Sequence, residues 1–128
     1  MIYLDTSALL KLIKPEIGSE ALAAYLHDET ELVSSALTAI EARRGARRAA
    51  PDKLPRLDIL LTRVDMVEIS GPVIESASRL PDPLLRSLDA IHLATALLLR
   101  AEVDVLLTYD ERLAAAAKAH AIPTFAPL

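Results

Sequence analysis

Four carboxylates stand out in this chain of 128 residues. Asp5 closes the apolar run Ile2-Tyr3-Leu4, and Glu41 sits early in the helical pattern that follows Leu32 to Ser35. Asp89 lies near the start of Leu88-Asp89-Ala90-Ile91-His92-Leu93-Ala94-Thr95-Ala96, a segment that stays apolar through Leu99. Asp110 follows the run Val103 to Thr108. A helix without a polar face belongs inside a protein, so the third segment carries Asp89 toward the interior. A buried ionised carboxylate must be paired, hydrogen-bonded or bound to a metal.

Taken singly, each acid has an ordinary explanation. Asp5 and Asp110 suit helix N-caps, worth about 1 kcal/mol each. Asp89 complements a helix dipole, and Glu41 suits a solvated helix face. Together they pose a different problem. If they converge, each close pair repels by about 4 kcal/mol at a separation of ~4 Å and an effective dielectric near 20. Several such pairs rival the whole stability of a domain, roughly 5–15 kcal/mol. Something positive must then sit among them. With no cysteine and no paired histidines, an all-oxygen ligand set favours a hard ion such as Mg²⁺, with Mn²⁺ also suitable. Such ions activate water and neutralise charge on a transferring phosphoryl group.

The elements that would position these acids follow from periodicity and caps. Strands are expected at Ile2 to Leu4, Leu32 to Ser35, Val64 to Ile69, Val103 to Thr108 and Ile122 to Phe125. Helices are expected at Ala8 to Lys14, Ile17 to His27, Leu37 to Ala49, Lys53 to Arg63, Val73 to Leu80, Ser87 to Arg100 and Asp110 to His120. In the second helix, Ile17, Ala21, Ala24 and Tyr25 mark the expected apolar face. Gly71-Pro72 reads as a turn and Pro81-Asp82-Pro83 as a loop. Strands alternating with helices predict a single three-layer α/β/α domain over residues 1–128, built on a mainly parallel sheet of about five strands. Ligand sites in such sheets lie beyond the carboxyl ends of the strands, where all four acids are expected.

Composition narrows the function. A hydrophobic share of 52% supplies a core and argues against disorder. The absence of cysteine excludes disulfides, thiolate chemistry and cysteine-bound zinc, and it fits a cytoplasmic protein. The strand at Ile2 leaves no room for a signal peptide. The longest apolar run is roughly half of the ~20 residues that a membrane helix needs. A net charge of −4 is the wrong sign for a general nucleic-acid binder, but Arg43, Arg44, Arg47 and Arg48 crowd one short segment. Gly18, Gly45 and Gly71 are too far apart for a phosphate-cradling loop, and no GxSxG motif is present.

The chain resembles PIN-domain proteins, and within them the VapC-type toxin ribonucleases of bacterial toxin–antitoxin pairs. The likeness rests on Ile2-Tyr3-Leu4-Asp5-Thr6-Ser7-Ala8, on Glu41, on Leu88-Asp89-Ala90-Ile91-His92-Leu93-Ala94 and on Leu107-Thr108-Tyr109-Asp110. It implies a metal-dependent endoribonuclease that hydrolyses RNA by metal-activated water. Asp5, Glu41, Asp89 and Asp110 then correspond to the metal-site acids. Asp5 and Asp89 are the direct ligands, while Glu41 and Asp110 act through water or around a second ion. Thr6, Ser7 and Thr108 orient ligands or serve simply as caps. The resemblance further implies a VapB-like antitoxin, whose C-terminal segment blocks the acid site, and a homodimer.

Two features keep more than one reading. His92 lies one turn after Asp89 on the same helix face; it is either a general base or, as is commoner inside such helices, a packed core residue. Arg44 and Arg48, three and seven residues after Glu41, share roughly its face. They suit RNA phosphates, an acidic antitoxin tail, or a solvated surface without a partner. The competing function is a non-catalytic module that binds RNA or antitoxin through the arginine helix, with a degenerate acid site.

Overall fold

The structure, a computed structural model, describes residues 1–128. Five strands form one wholly parallel sheet: β1 (Ile2–Leu4), β2 (Leu32–Ser35), β3 (Val64–Val67), β4 (Val105–Leu107) and β5 (Thr124–Phe125), in the order β3-β2-β1-β4-β5. The α helices are α1 (Thr6–Ile13), α2 (Ser19–Leu26), α3 (Ala36–Ala49), α4 (Leu54–Leu61), α5 (Gly71–Ser78), α6 (Ser87–Leu98) and α7 (Glu111–Ala119). A short 3-10 turn, Pro51–Lys53, leads into α4.

Alternation along the strands builds a core on each face of the sheet. Ile2, Leu4, Leu32 and Leu107 pack with Leu9, Ile13, Leu22, Ala42 and Leu57, from α1 to α4. Tyr3, Val33 and Leu106 pack on the other face with Leu93, Ala96, Leu113 and Ala117, from α6 and α7. The expected three-layer α/β/α architecture is therefore present.

Three local expectations are corrected. The buried face of α2 is Leu22 and Leu26, whereas Ile17 is 85% exposed and Tyr25 40% exposed. The helix starts later than the apolar spacing implied because Gly18, at φ 92°, breaks the backbone before Ser19. Gly71-Pro72 is not a turn. It forms the first turn of α5, with Ser70 as N-cap accepting from the Val73 amide; a proline there has its φ already set for a helix. The helix α6 carries Asp89 inward as expected, but it is not buried on every side. Its buried residues include Asp89, His92 and Thr95, while Leu88 and Leu98 are exposed.

Candidate active site

The strand order fixes where this site forms. β1 and β4 are adjacent and parallel. β1 runs into α1 on one face of the sheet, and β4 leads to α7 on the other. The divergence of those connections opens a crevice at the carboxyl ends of the two strands. Asp5 sits there and is 4% exposed. Its Oδ1 accepts from Ser7 Oγ at 2.6 Å and from the Ala8 amide at 2.9 Å, and its Oδ2 accepts from the Thr108 hydroxyl. Ser7 Oγ accepts in turn from the Tyr109 amide at 2.9 Å, and Thr108 Oγ1 from the Asp110 amide at 3.0 Å.

Asp5 is thus both the N-cap of α1 and the tie between two strand ends. A carboxylate offers about four acceptor sites, so Oδ2 keeps room for one more partner. Burial pushes the Asp5 carboxyl above the usual carboxylate range; hydrogen bonds from Ser7, Thr108 and Ala8 and the influence of His92 offset this only in part. A cation at this point would favour the ionised form.

Glu41 comes from the second turn of α3. Its Oε1 accepts from Thr6 Oγ1 at 2.7 Å and lies 2.9 Å from His92 Nε2. Burial alone would raise this carboxyl, but hydrogen bonds from His92 and Thr6, with the charge of Arg86, hold it below its ordinary value. His92 is 3% exposed, and its Nδ1 lies 2.9 Å from the buried Tyr3 hydroxyl. A carboxylate only accepts, so the pattern assigns the ring proton to Nε2 and leaves Nδ1 to accept from Tyr3. The core reading of His92 holds, and the ring also braces Glu41. Glu41 Oε2 is left without a protein partner.

Asp89 and Asp110 share a partner that the sequence reasoning missed. Arg86 Nε lies 3.1 Å from Asp89 Oδ2, and Arg86 Nη2 lies 3.2 Å from Asp110 Oδ2. Asp89 foremost, and Asp110 after it, raise the Arg86 guanidinium further above its usual value, and Glu41 adds to the effect. Asp110 Oδ1 caps α7 by accepting from the Arg112 and Leu113 amides at 2.9 and 3.0 Å. The available signal for Arg86 was its place three residues before Asp89, the spacing of an ion pair on a helix.

All four acids therefore lie along one path of contacts and chain neighbours. It runs from Asp5 through Thr108 to Asp110, through Arg86 to Asp89, one helical turn to His92, then to Glu41 and Thr6, the neighbour of Asp5. No three His, Asp or Glu side chains form a ready-made ligand group; Arg86 supplies the positive charge where a metal was expected. The donor chemistry nevertheless suits a hard divalent ion: oxygen only, with Asp5 buried and open at Oδ2, and Asp89 Oδ1 and Glu41 Oε2 free of protein partners. The arginines of α3 are exposed. Arg43 Nε pairs with Asp58 at 3.0 Å, while Arg44, Arg47 and Arg48 make no ion pair within the chain.

Comparison with known proteins decides the family. The PIN domain family matches residues 2–119. Ribonuclease VapC35 of Mycobacterium tuberculosis is 48% identical over 131 aligned positions, which cover 99% of this chain and 97% of that protein. The chain belongs to the PIN-domain VapC family. A second VapC relative, Ribonuclease VapC46 of the same species, is 38% identical over 133 positions, covering 98% of this chain and 97% of that one. Among solved structures, a toxin–antitoxin complex from Klebsiella pneumoniae superposes with a TM-score of 0.73 at 25% identity, covering 90% of this VapC chain and 91% of that one. No helix of this VapC chain is long and apolar enough to cross a membrane.

Proposed function

We propose that this VapC-family chain is a divalent-metal-dependent endoribonuclease and the toxin of a toxin–antitoxin pair. The observation that carries this reading is the path of hydrogen bonds, ion pairs and chain neighbours that links Asp5, Glu41, Asp89 and Asp110, four acids from separate segments, at the carboxyl rim of β1 and β4. Asp5 and Asp89 are the direct ligands, and Glu41 and Asp110 complete the site through water. Mg²⁺ is the expected ion, with Mn²⁺ able to replace it. When bound, the ion lowers the pKa of a water and neutralises charge on the scissile phosphate.

The chain's own residues hold this arrangement. Ser7 and Thr108 fix the two oxygens of Asp5, and Thr6 and His92 fix Glu41 Oε1. Arg44, Arg47 and Arg48 offer unpaired cations to RNA phosphates on the helix that carries Glu41. In-line attack by water leaves a 5′-phosphate and a 3′-hydroxyl.

Two protein partners fit the surface. Leu12, Leu26, Ile59 and Leu60 line an apolar groove of about 300 Å³ flanked by Arg56 and Arg63, which suits an amphipathic segment of a VapB-like antitoxin with acidic edges. The Klebsiella relative is itself a toxin–antitoxin complex. Exposed Ile74, Leu84 and Leu88, on α5, the loop after it and the start of α6, suit a second copy of the chain.

The test is incubation with total RNA and Mg²⁺, repeated with EDTA and with Asp89→Asn. Cleavage to 5′-phosphate ends that both changes abolish is the expected result. Cleavage that survives both overturns the reading, and RNA binding without cleavage under any condition favours a non-catalytic module.

A further inference from the structure

The acid site already contains a cation, and its environment differs from that of its partners. The carboxylates are fixed. Asp89 is 9% exposed and rides on α6. Asp110 is pinned by two backbone amides at Oδ1, whatever happens at Oδ2. Arg86 is the movable member. It precedes α6 in non-helical backbone, its side chain is 61% exposed, and its only side-chain partners are the two acids. Ion pairs that face solvent are weak and readily broken.

We propose that Arg86 is a displaceable counter-cation, bridging Asp89 and Asp110 at the edge of the place that a divalent ion must enter, so that arginine and ion compete for the same carboxylates. This rests on the reading of the four acids as a metal site. Without an ion, the guanidinium relieves the mutual repulsion of Asp89, Asp110 and Glu41. When an ion enters, it takes over that role, and the arginine swings outward without unsettling the helix cap at Asp110. The unloaded fold is thereby kept stable at the cost of some metal affinity.

The alternative role for the same contacts is positioning, in which Arg86 orients Asp89 and Asp110 as ligands. The two roles predict opposite effects. Calorimetric titration of Mn²⁺ into the full chain is compared for wild type, Arg86→Gln and Arg86→Lys, at low and high salt. Competition predicts tighter Mn²⁺ binding in Arg86→Gln, on the order of tenfold for the loss of two exposed pairs. Arg86→Lys, which keeps the charge but loses the fork, falls between. The difference shrinks at high salt, because the competing pairs are screened. In EDTA, Arg86→Gln melts below wild type, and Mn²⁺ raises its Tm by more than it raises that of wild type.

Unchanged or weaker Mn²⁺ binding in Arg86→Gln, with wild type binding normally, overturns the inference and leaves the metal-site reading standing. No Mn²⁺ binding in any of the three chains overturns both. Should Arg86→Gln fail to fold, Arg86→Lys carries the same comparison, and weaker binding there is equally decisive against competition.

Discussion

Nε2 of His92 lies 2.9 Å from Oε1 of Glu41, from an imidazole almost wholly buried in α6. This contact joins the hydrophobic layer on one face of the sheet to a carboxylate carried by α3 on the other. Tyr3 completes the brace from the central strand. The polar groups of α6 thus serve the rim without being solvated by it, and each has a partner: no buried side-chain nitrogen or oxygen in the protein lacks one.

The brace has a measurable energy. His92→Ala removes a packed ring and strands the Tyr3 hydroxyl, so it should cost about 2–4 kcal/mol. Tyr3→Phe removes one hydrogen bond and should cost about 1–2 kcal/mol. Urea denaturation in EDTA measures both. Tyr3→Phe should also lower kcat more than it raises KM, since the hydroxyl acts on Glu41 through His92.

Asp5 should trade stability for chemistry. Its carboxyl is buried and pushed upward, so Asp5→Asn removes a costly charge while keeping an oxygen for the Ala8 amide. The variant should melt at or above wild type in EDTA and gain nothing from added Mg²⁺. Its RNA cleavage should fall by more than about a hundredfold, beyond the ~10–100-fold typical of partners outside the ligand sphere. Thr108→Val, which leaves Asp5 one donor short, should fall within that smaller range. Thermal melts with and without Mg²⁺, beside a cleavage assay, separate the two cases.

The two shifted carboxyls give stability opposite dependences on pH. Asp5 is raised in the fold and takes up a proton there before it does so in the unfolded chain. Metal-free stability should therefore rise as pH falls through the folded Asp5 value. Glu41 is lowered, so its contribution is present above its unfolded value and is lost as pH falls through its folded one. Denaturation in EDTA across pH should show both limbs. Asp5→Asn should lack the first, and Mg²⁺ should erase it in wild type, because the ion favours the ionised carboxylate.

The α3 arginines should divide by their pairing. Arg44, Arg47 and Arg48 are unpaired, whereas Arg43 holds Asp58 at 3.0 Å. In an Asp89→Asn background that does not cut, replacing Arg44 or Arg48 by Gln should weaken RNA binding and lower the slope of log affinity against log salt by about 1 each. Arg43→Gln should change the slope less. Fluorescence anisotropy at several salt concentrations measures this.

The fold was readable because the parallel strands are short apolar runs and the helices between them carry their own stops. The strand Leu32–Ser35 falls as the pattern placed it, Asp5 and Asp110 stand at the helix starts where capping chemistry marked them, and Asp89 lies in the first turn of α6, where an acid complements the helix dipole. The face of α2 was misread because alanines satisfy helical spacing on any side; Leu22 and Leu26, the larger side chains, win the core. The roles of His92 and Arg86 depend on neighbours 51 and 24 residues away, Glu41 and Asp110. Local periodicity carries no record of such pairs.

Four carboxylates from distant segments are proposed to share one divalent ion. Crystals soaked in Mn²⁺ and measured at a wavelength where manganese scatters anomalously test this sharing most directly. An anomalous peak is expected between Asp5 and Asp89, with Glu41 and Asp110 around it and Arg86 turned away. A map with no peak at that rim, at an Mn²⁺ concentration that supports RNA cleavage, would contradict it.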